Sequence, residues 1–140
     1  MSSDGLKLLA EDQDDLGVVA TALQDSVARI GDIRFESGAR RLTLVFNRYR
    51  WEVDRSQRVR CAVQVGSVLK VQAGRLRRGA RDAVVDLLTL TFEPGEAPGG
   101  ALMFTFAGGG ELKVEVECVD MVLADISAPW DARRTPEHDL

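Results

Sequence analysis

Apolar residues fall at every second position through most of residues 26–126, and that period of two commits the chain to half-buried β structure. Leu42, Leu44 and Phe46 recur at every second position, as do Leu102, Phe104 and Phe106, and then Leu112, Val114 and Val116, the last run between charged neighbours. Turn residues punctuate these runs at Ser37-Gly38, Gly66-Ser67, Pro94-Gly95, Pro98-Gly99-Gly100 and Gly108-Gly109-Gly110. Hairpin spacing of this kind predicts an antiparallel sheet. One segment departs from it. Asp12 stands where a helix N-cap belongs, Asp14 and Asp15 suit the first turn, and Leu16, Val19, Ala20 and Leu23 form one apolar stripe. A helix over roughly residues 12–24 follows, after a short strand carrying Leu6, Leu8 and Ala10.

The alternation slips in two places. Leu42, Leu44 and Phe46 are apolar at even positions, but Tyr49 and Trp51 take up the pattern at odd ones, which predicts a bulge at Asn47. A second change of phase falls near Val119-Asp120. Residues 54–58 and the arginine-rich stretch 74–82 read as loops, and Val84–Phe92, apolar on both faces, reads as a central strand. Strands that slip and bend serve curved sheets. The expected fold is α+β: one N-terminal helix packed on a strongly bent, mainly antiparallel sheet or small split barrel, with a pleckstrin-homology-like barrel as one candidate. Residues 1–130 read as a single domain and 131–140 as a C-terminal tail.

Charge is distributed unevenly. Residues 40–81 hold eleven arginines and Lys70 against Glu52 and Asp54, so this stretch is +10 within a chain of net −4. A basic middle attracts an acidic protein or an anionic ligand. Within it, Asn47, Arg48, Arg50, Trp51 and Glu52 form the densest group of recognition-type residues. The competing interpretation makes Tyr49 and Trp51 core residues and pairs the arginines with Glu115 or Glu117 on a neighbouring strand. Nucleic acid is disfavoured, because Tyr49 and Trp51 are the only aromatic platforms near the arginines and the remainder of the chain is acidic.

Catalytic equipment is scarce. The single histidine, His138, lies within the last three residues, and Cys61 and Cys118 share parity with apolar strand residues, as small buried thiols in a reducing compartment do. Gly108-Gly109-Gly110 precedes a strand rather than a helix, which suits a hairpin turn better than a phosphate loop. Alternate carboxylates such as Glu115 and Glu117, with Asp120 nearby, are the usual solvent-facing pattern of a strand rather than a metal site, and no cofactor is expected. No stretch approaches the ~20 apolar residues that span a bilayer. The opening residues lack a secretory signal, so the cytoplasm is the default compartment.

Three separated stretches resemble an alphaproteobacterial family catalogued as domain of unknown function 2948: Asn47-Arg48-Tyr49-Arg50-Trp51-Glu52, Phe106–Gly110 with Val116-Glu117-Cys118 after it, and the closing Pro136-Glu137-His138-Asp139-Leu140. The resemblance covers nearly the whole chain and implies a bacterial cytoplasmic protein, but it brings no activity, substrate or cofactor. The leading expectation is therefore a non-catalytic binding or adaptor module. The alternative is an enzyme or small-ligand protein with a pocket inside the bent sheet, and self-association through a sheet edge is a third possibility.

Overall fold

The structure is a computed structural model that describes residues 5–77 and 79–131. It contains one α-helix and eleven strands in one antiparallel sheet that does not close. Strand β1 (Lys7–Ala10) leads into α1 (Gln13–Ala22). Then come β2 (Val27–Arg29), a 3-10 turn at Ile30–Asp32, β3 (Ile33–Glu36), β4 (Arg41–Arg50), β5 (Asp54–Val65) and β6 (Val68–Gly74). The second half supplies β7 (Val84–Pro94), β8 (Gly100–Phe106), β9 (Glu111–Val116), β10 (Met121–Asp125) and β11 (Trp130–Asp131). The sheet runs β1-β10-β5-β4-β2-β7-β8-β9-β6, with β3 pairing on β4 and β11 on β5.

The α+β expectation holds, and local chemistry explains the helix. The Asp12 carboxylate accepts a hydrogen bond from the Asp15 amide at 2.8 Å, and Asp14 and Asp15 occupy the first turn. Leu16, Val19 and Leu23 are buried, whereas Thr21 and Gln24 on the opposite side are exposed. The helix rests against β1 and β7, which stand at the end and the middle of the strand order. The sheet must therefore curve around it.

One core confirms that curvature. Leu42, Leu44, Phe46, Val63 and Val65 from β4 and β5 join Leu102, Phe104, Phe106, Leu112 and Val114 from β8 and β9 in a single buried cluster. A flat sheet cannot bring its distant strands to one centre. Each such side chain contributes on the order of 1.5–3 kcal/mol by leaving water. Among the described residues, no helix is long and apolar enough to cross a membrane.

Several expectations need correction. β4 does not slip at Asn47; it pairs with β5 without interruption from Leu42↔Val65 to Tyr49↔Arg58, and the register shifts only between Tyr49 and Arg50. The inward row of Leu42, Leu44 and Phe46 continues into Arg48. Residues 54–58 are strand, not loop. Gln57 there accepts from Arg50 at 2.6 Å and Arg58 donates to the Asn47 carbonyl at 2.9 Å, so no apolar alternation marks them.

β7 has neighbours on both sides, β2 and β8, but one of its faces is wet: Val84 is 59% and Leu88 50% exposed. Its register shifts between Leu87 and Thr89, which lets Leu87 and Leu90 both point inward. Trp130 and Asp131 form a short strand on Arg58 and Gln57. The expected tail from residue 132 onward, with Pro136, His138 and Leu140, lies outside the described residues. Cys118 sits beyond the end of β9, partly buried, with its thiol 3.8 Å from the Ser67 hydroxyl. Cys61 is buried on β5 as expected, and burial pushes its thiol up to about 12.

Candidate functional site

Of the five residues singled out from sequence, Arg48 and Glu52 are joined inside the fold, while Arg50 and Trp51 make other contacts. Arg48 is the largest fully buried side chain of the described residues, at 0% exposure. A lone buried guanidinium costs several kcal/mol, and here every one of its five N–H groups is answered. Nε donates to Asp125 Oδ1 at 2.9 Å, and Nη2 donates to Asp125 Oδ2 and to Glu52 Oε2, both at 2.8 Å. Nη1 donates to Glu52 Oε1 at 2.9 Å and to the Tyr49 carbonyl at 2.8 Å. Two carboxylates thus clasp one cation, each through both oxygens. The arginine has no donor left for a partner. Its acidic partners are Glu52 and Asp125 rather than Glu115 or Glu117, and Glu117 pairs instead with Arg40.

The clasp also ties the N-terminal segment down. Asp125 Oδ2 accepts from the Leu6 amide at 2.8 Å, while the Asp125 amide donates to the Leu6 carbonyl at 2.9 Å. Desolvation works against the Arg48 cation, but hydrogen bonds and charge from Glu52 and Asp125 more than offset it and raise its pKa. Reciprocally, the hydrogen bond from Arg48 holds the Glu52 carboxyl below the usual carboxylate value.

A carboxylate with a depressed folded-state pKa adds stability above its unfolded pKa, near 4.5, and loses it as pH falls through the lower folded value. Glu52→Gln is accordingly expected to flatten the acid limb of a urea-measured stability profile below that value. Glu52 is 36% exposed, so its loss at neutral pH should cost about 1 kcal/mol or less. An unchanged acid limb would show that the contact is not maintained in solution.

The other members of the group lie nearer the surface. Trp51 donates from Nε1 to the Gln24 carbonyl at 3.2 Å, and its ring centroid is 5.3 Å from that of Tyr49. The Arg58 guanidinium stacks 3.9 Å above the Tyr49 ring and donates to the Asn47 carbonyl at 2.9 Å. Arg50 is partly buried against Gln57. These contacts make a braced outer face on β4 and β5.

A cavity does exist where the sheet fails to close. A slot of about 270 Å³ is lined by Ile30, Gly31, Ile33, Phe35, Leu42, Val71, Ala73, Leu76, Arg81 and Leu112. Alternate residues of β3 (Ile33, Phe35) and of β6 (Val71, Ala73) form its two walls. The strands come together at one end, where the Val68 amide donates to the Arg40 carbonyl at 3.0 Å. Beyond that point, among the described residues, β3 is paired only with β4, and β6 only with β9. Gly31 lets the two sides of the slot's end approach: its amide donates to the Arg81 carbonyl at 2.8 Å, and a Cβ there would meet that oxygen at 3.0 Å. Among the described residues, Arg81 is the sole ionisable member of the lining, and those residues include no general base or nucleophile.

Sequence reasoning missed this slot because it is defined by which strands stay unpaired. A second, open depression of about 700 Å³ lies along β8, β9 and the 94–99 connection, rimmed by Glu93, Glu96, Glu115 and Glu117. Among the described residues, no cluster of histidine, cysteine or carboxylate side chains is arranged to hold a metal ion.

The model of a family described as protein of unknown function (DUF2948) matches residues 6–138. No curated protein and no solved structure matches the chain.

Proposed function

The chain belongs to that family of unknown function, and since membership brings no activity with it, we propose from the site itself that it is a non-catalytic binding module for an anionic partner with an apolar body. One observation carries this reading: the slot at the open seam of the sheet, apolar on both walls and flanked by arginine. The segments that wall it, residues 29–36 and 68–82, hold seven arginines and lysines against three acids. An apolar cleft with a few placed polar groups is the usual form of a ligand site, and at about 270 Å³ this one falls just under the usual lower bound of about 300 Å³. Compared with the expectation from sequence, the anionic partner is kept and its place changes. Arg48 is consumed inside the fold, whereas Arg34, Arg75, Arg77 and Arg81 face solvent around the slot.

A fluorescent pair tests the reading. Anilinonaphthalene sulfonate joins an apolar ring system to one negative charge, and phenylnaphthylamine is its uncharged counterpart. The folded protein is expected to bind the sulfonate. Arg81→Glu should weaken that binding about tenfold while sparing the neutral probe, and Ala73→Phe should fill the slot and abolish both. Circular dichroism on each variant separates lost binding from lost fold. Equal binding of the sulfonate by the wild type and both variants would defeat the proposal.

A further inference from the structure

We infer that the slot receives an extended, acidic segment of a partner protein, which pairs as an added strand with the free edge of β6. The inference rests on the binding reading above and specifies its partner. Three observations converge on it.

The first is the edges. Among the described residues, β6 ends the strand order with β9 as its single paired neighbour, and β3 pairs with β4 alone. Each therefore presents a row of backbone amides and carbonyls with no strand opposite, the arrangement that invites another chain. Natural sheets protect such edges with charge, proline or brevity. β1, at the other end of the order, has four residues and begins with Lys7. β6 has seven residues, Val-Leu-Lys-Val-Gln-Ala-Gly, with one charge and with Leu69 57% exposed.

The second is the periodicity of the walls. Ile33 and Phe35 line one side and Val71 and Ala73 the other, each pair two residues apart on its own strand. A slot lined at a spacing of two takes side chains that arrive at a spacing of two, and an extended peptide presents them that way. A peptide entering here continues the sheet past β6, and its inward side chains meet Leu42 and Leu112 on the floor.

The third is charge. An added strand that buries alternate side chains turns the others outward, toward Arg75, Arg77 and Arg81 on the connection leaving β6 and Arg34 on β3, all exposed. Asp32 and Asp82 lie on the same segments, and Glu36 is already engaged by Arg41 at 3.1 Å. The balance favours outward-facing glutamate or aspartate on the incoming strand.

The probe is a heptapeptide of alternating glutamate and valine, acetylated and amidated, with a twin N-methylated at every backbone nitrogen. The twin keeps side chains and charge but lacks the amide donors of a strand. Hydrogen exchange followed by NMR should show the unmethylated peptide slowing exchange of β6 amides about tenfold or more. Its methylated twin should bind about tenfold more weakly or not at all.

Arginine-dependent binding of the sulfonate probe, combined with equal binding of the two peptides or with no protection along β6, would overturn the added strand and leave the slot reading intact. Failure of the sulfonate probe would remove both. A concentration-dependent dimer by light scattering, with the same β6 amides protected in the absence of peptide, would make the occupant a second copy of this chain and overturn the acidic partner.

Discussion

Replacing Arg48 with alanine should cost about 3–5 kcal/mol of stability, the range for breaking a buried ion pair by removing one partner. For a domain of this size that is a fall of roughly 10–20 °C in melting temperature. The reason lies in what remains behind. Asp125, whose side chain is 3% exposed, would be left with only the Leu6 amide to answer it, and Glu52 would lose both of its arginine bonds. The void left by the largest fully buried side chain adds to the loss. Arg50→Ala, removing one bond to Gln57, is the control and should cost less than about 1 kcal/mol.

A compensated variant makes the argument sharper. Arg48→Met with Asp125→Leu removes cation and buried anion together, and should recover much of the single variant's loss, because well-packed apolar side chains can replace a buried ion pair at little cost. Recovery will be incomplete, since the Leu6 amide loses its acceptor. Urea unfolding of the four proteins measures all of this. Should Arg48→Ala prove as stable as Arg50→Ala, the clasp is not what holds β4 to β10, and the arginine is free to meet a partner.

That result also bears on what the sequence could reveal. The helix was legible because its signals are local: Asp12 caps it, and Leu16, Val19 and Leu23 share a stripe. The glycine turn at 107–110 was legible for the same reason, with Gly108 and Gly109 at φ 88° and 95°. The clasp was hidden because a charged residue on an inward row looks like the end of that row. Read by period alone, Arg48 suggested a slip; the chain simply continued inward. A signal was present in two places at once. Leu42, Leu44 and Phe46 lead in steps of two to Arg48, and Met121 and Leu123 lead in the same way to Asp125. Two apolar rows that end in opposite charges are a pair waiting to be matched, but the match spans 77 residues and requires knowing that β5 lies between β4 and β10. The seam slot was hidden for a related reason, since no residue of β3 or β6 records the absence of a neighbour.

Two glycine-to-alanine changes should move stability in opposite directions, and the difference tests the geometry of the sheet more strictly than either alone. Gly100 opens β8, paired with Pro94 on one side and Val116 on the other. A Cβ there would strike the Glu93 carbonyl oxygen and come within 2.6 Å of Phe92 Cζ, whose ring lies over the glycine. The carbonyl belongs to the backbone of the adjacent strand, so relief requires moving that strand, not just turning a side chain. Gly100→Ala should therefore cost about 1–3 kcal/mol, the range for inserting atoms into a filled space, and Gly100→Val more. Gly17 lies in α1, exposed, with nothing within 4 Å of the place a Cβ would take. There the methyl meets no obstacle and reduces the entropy lost on folding, so Gly17→Ala should add roughly 0.5–1 kcal/mol. Chemical denaturation of the two variants beside the wild type reads both signs at once. If Gly100→Ala stabilises the protein as Gly17→Ala does, β7 and β8 do not approach as described, and the strand order built upon that hairpin fails with it.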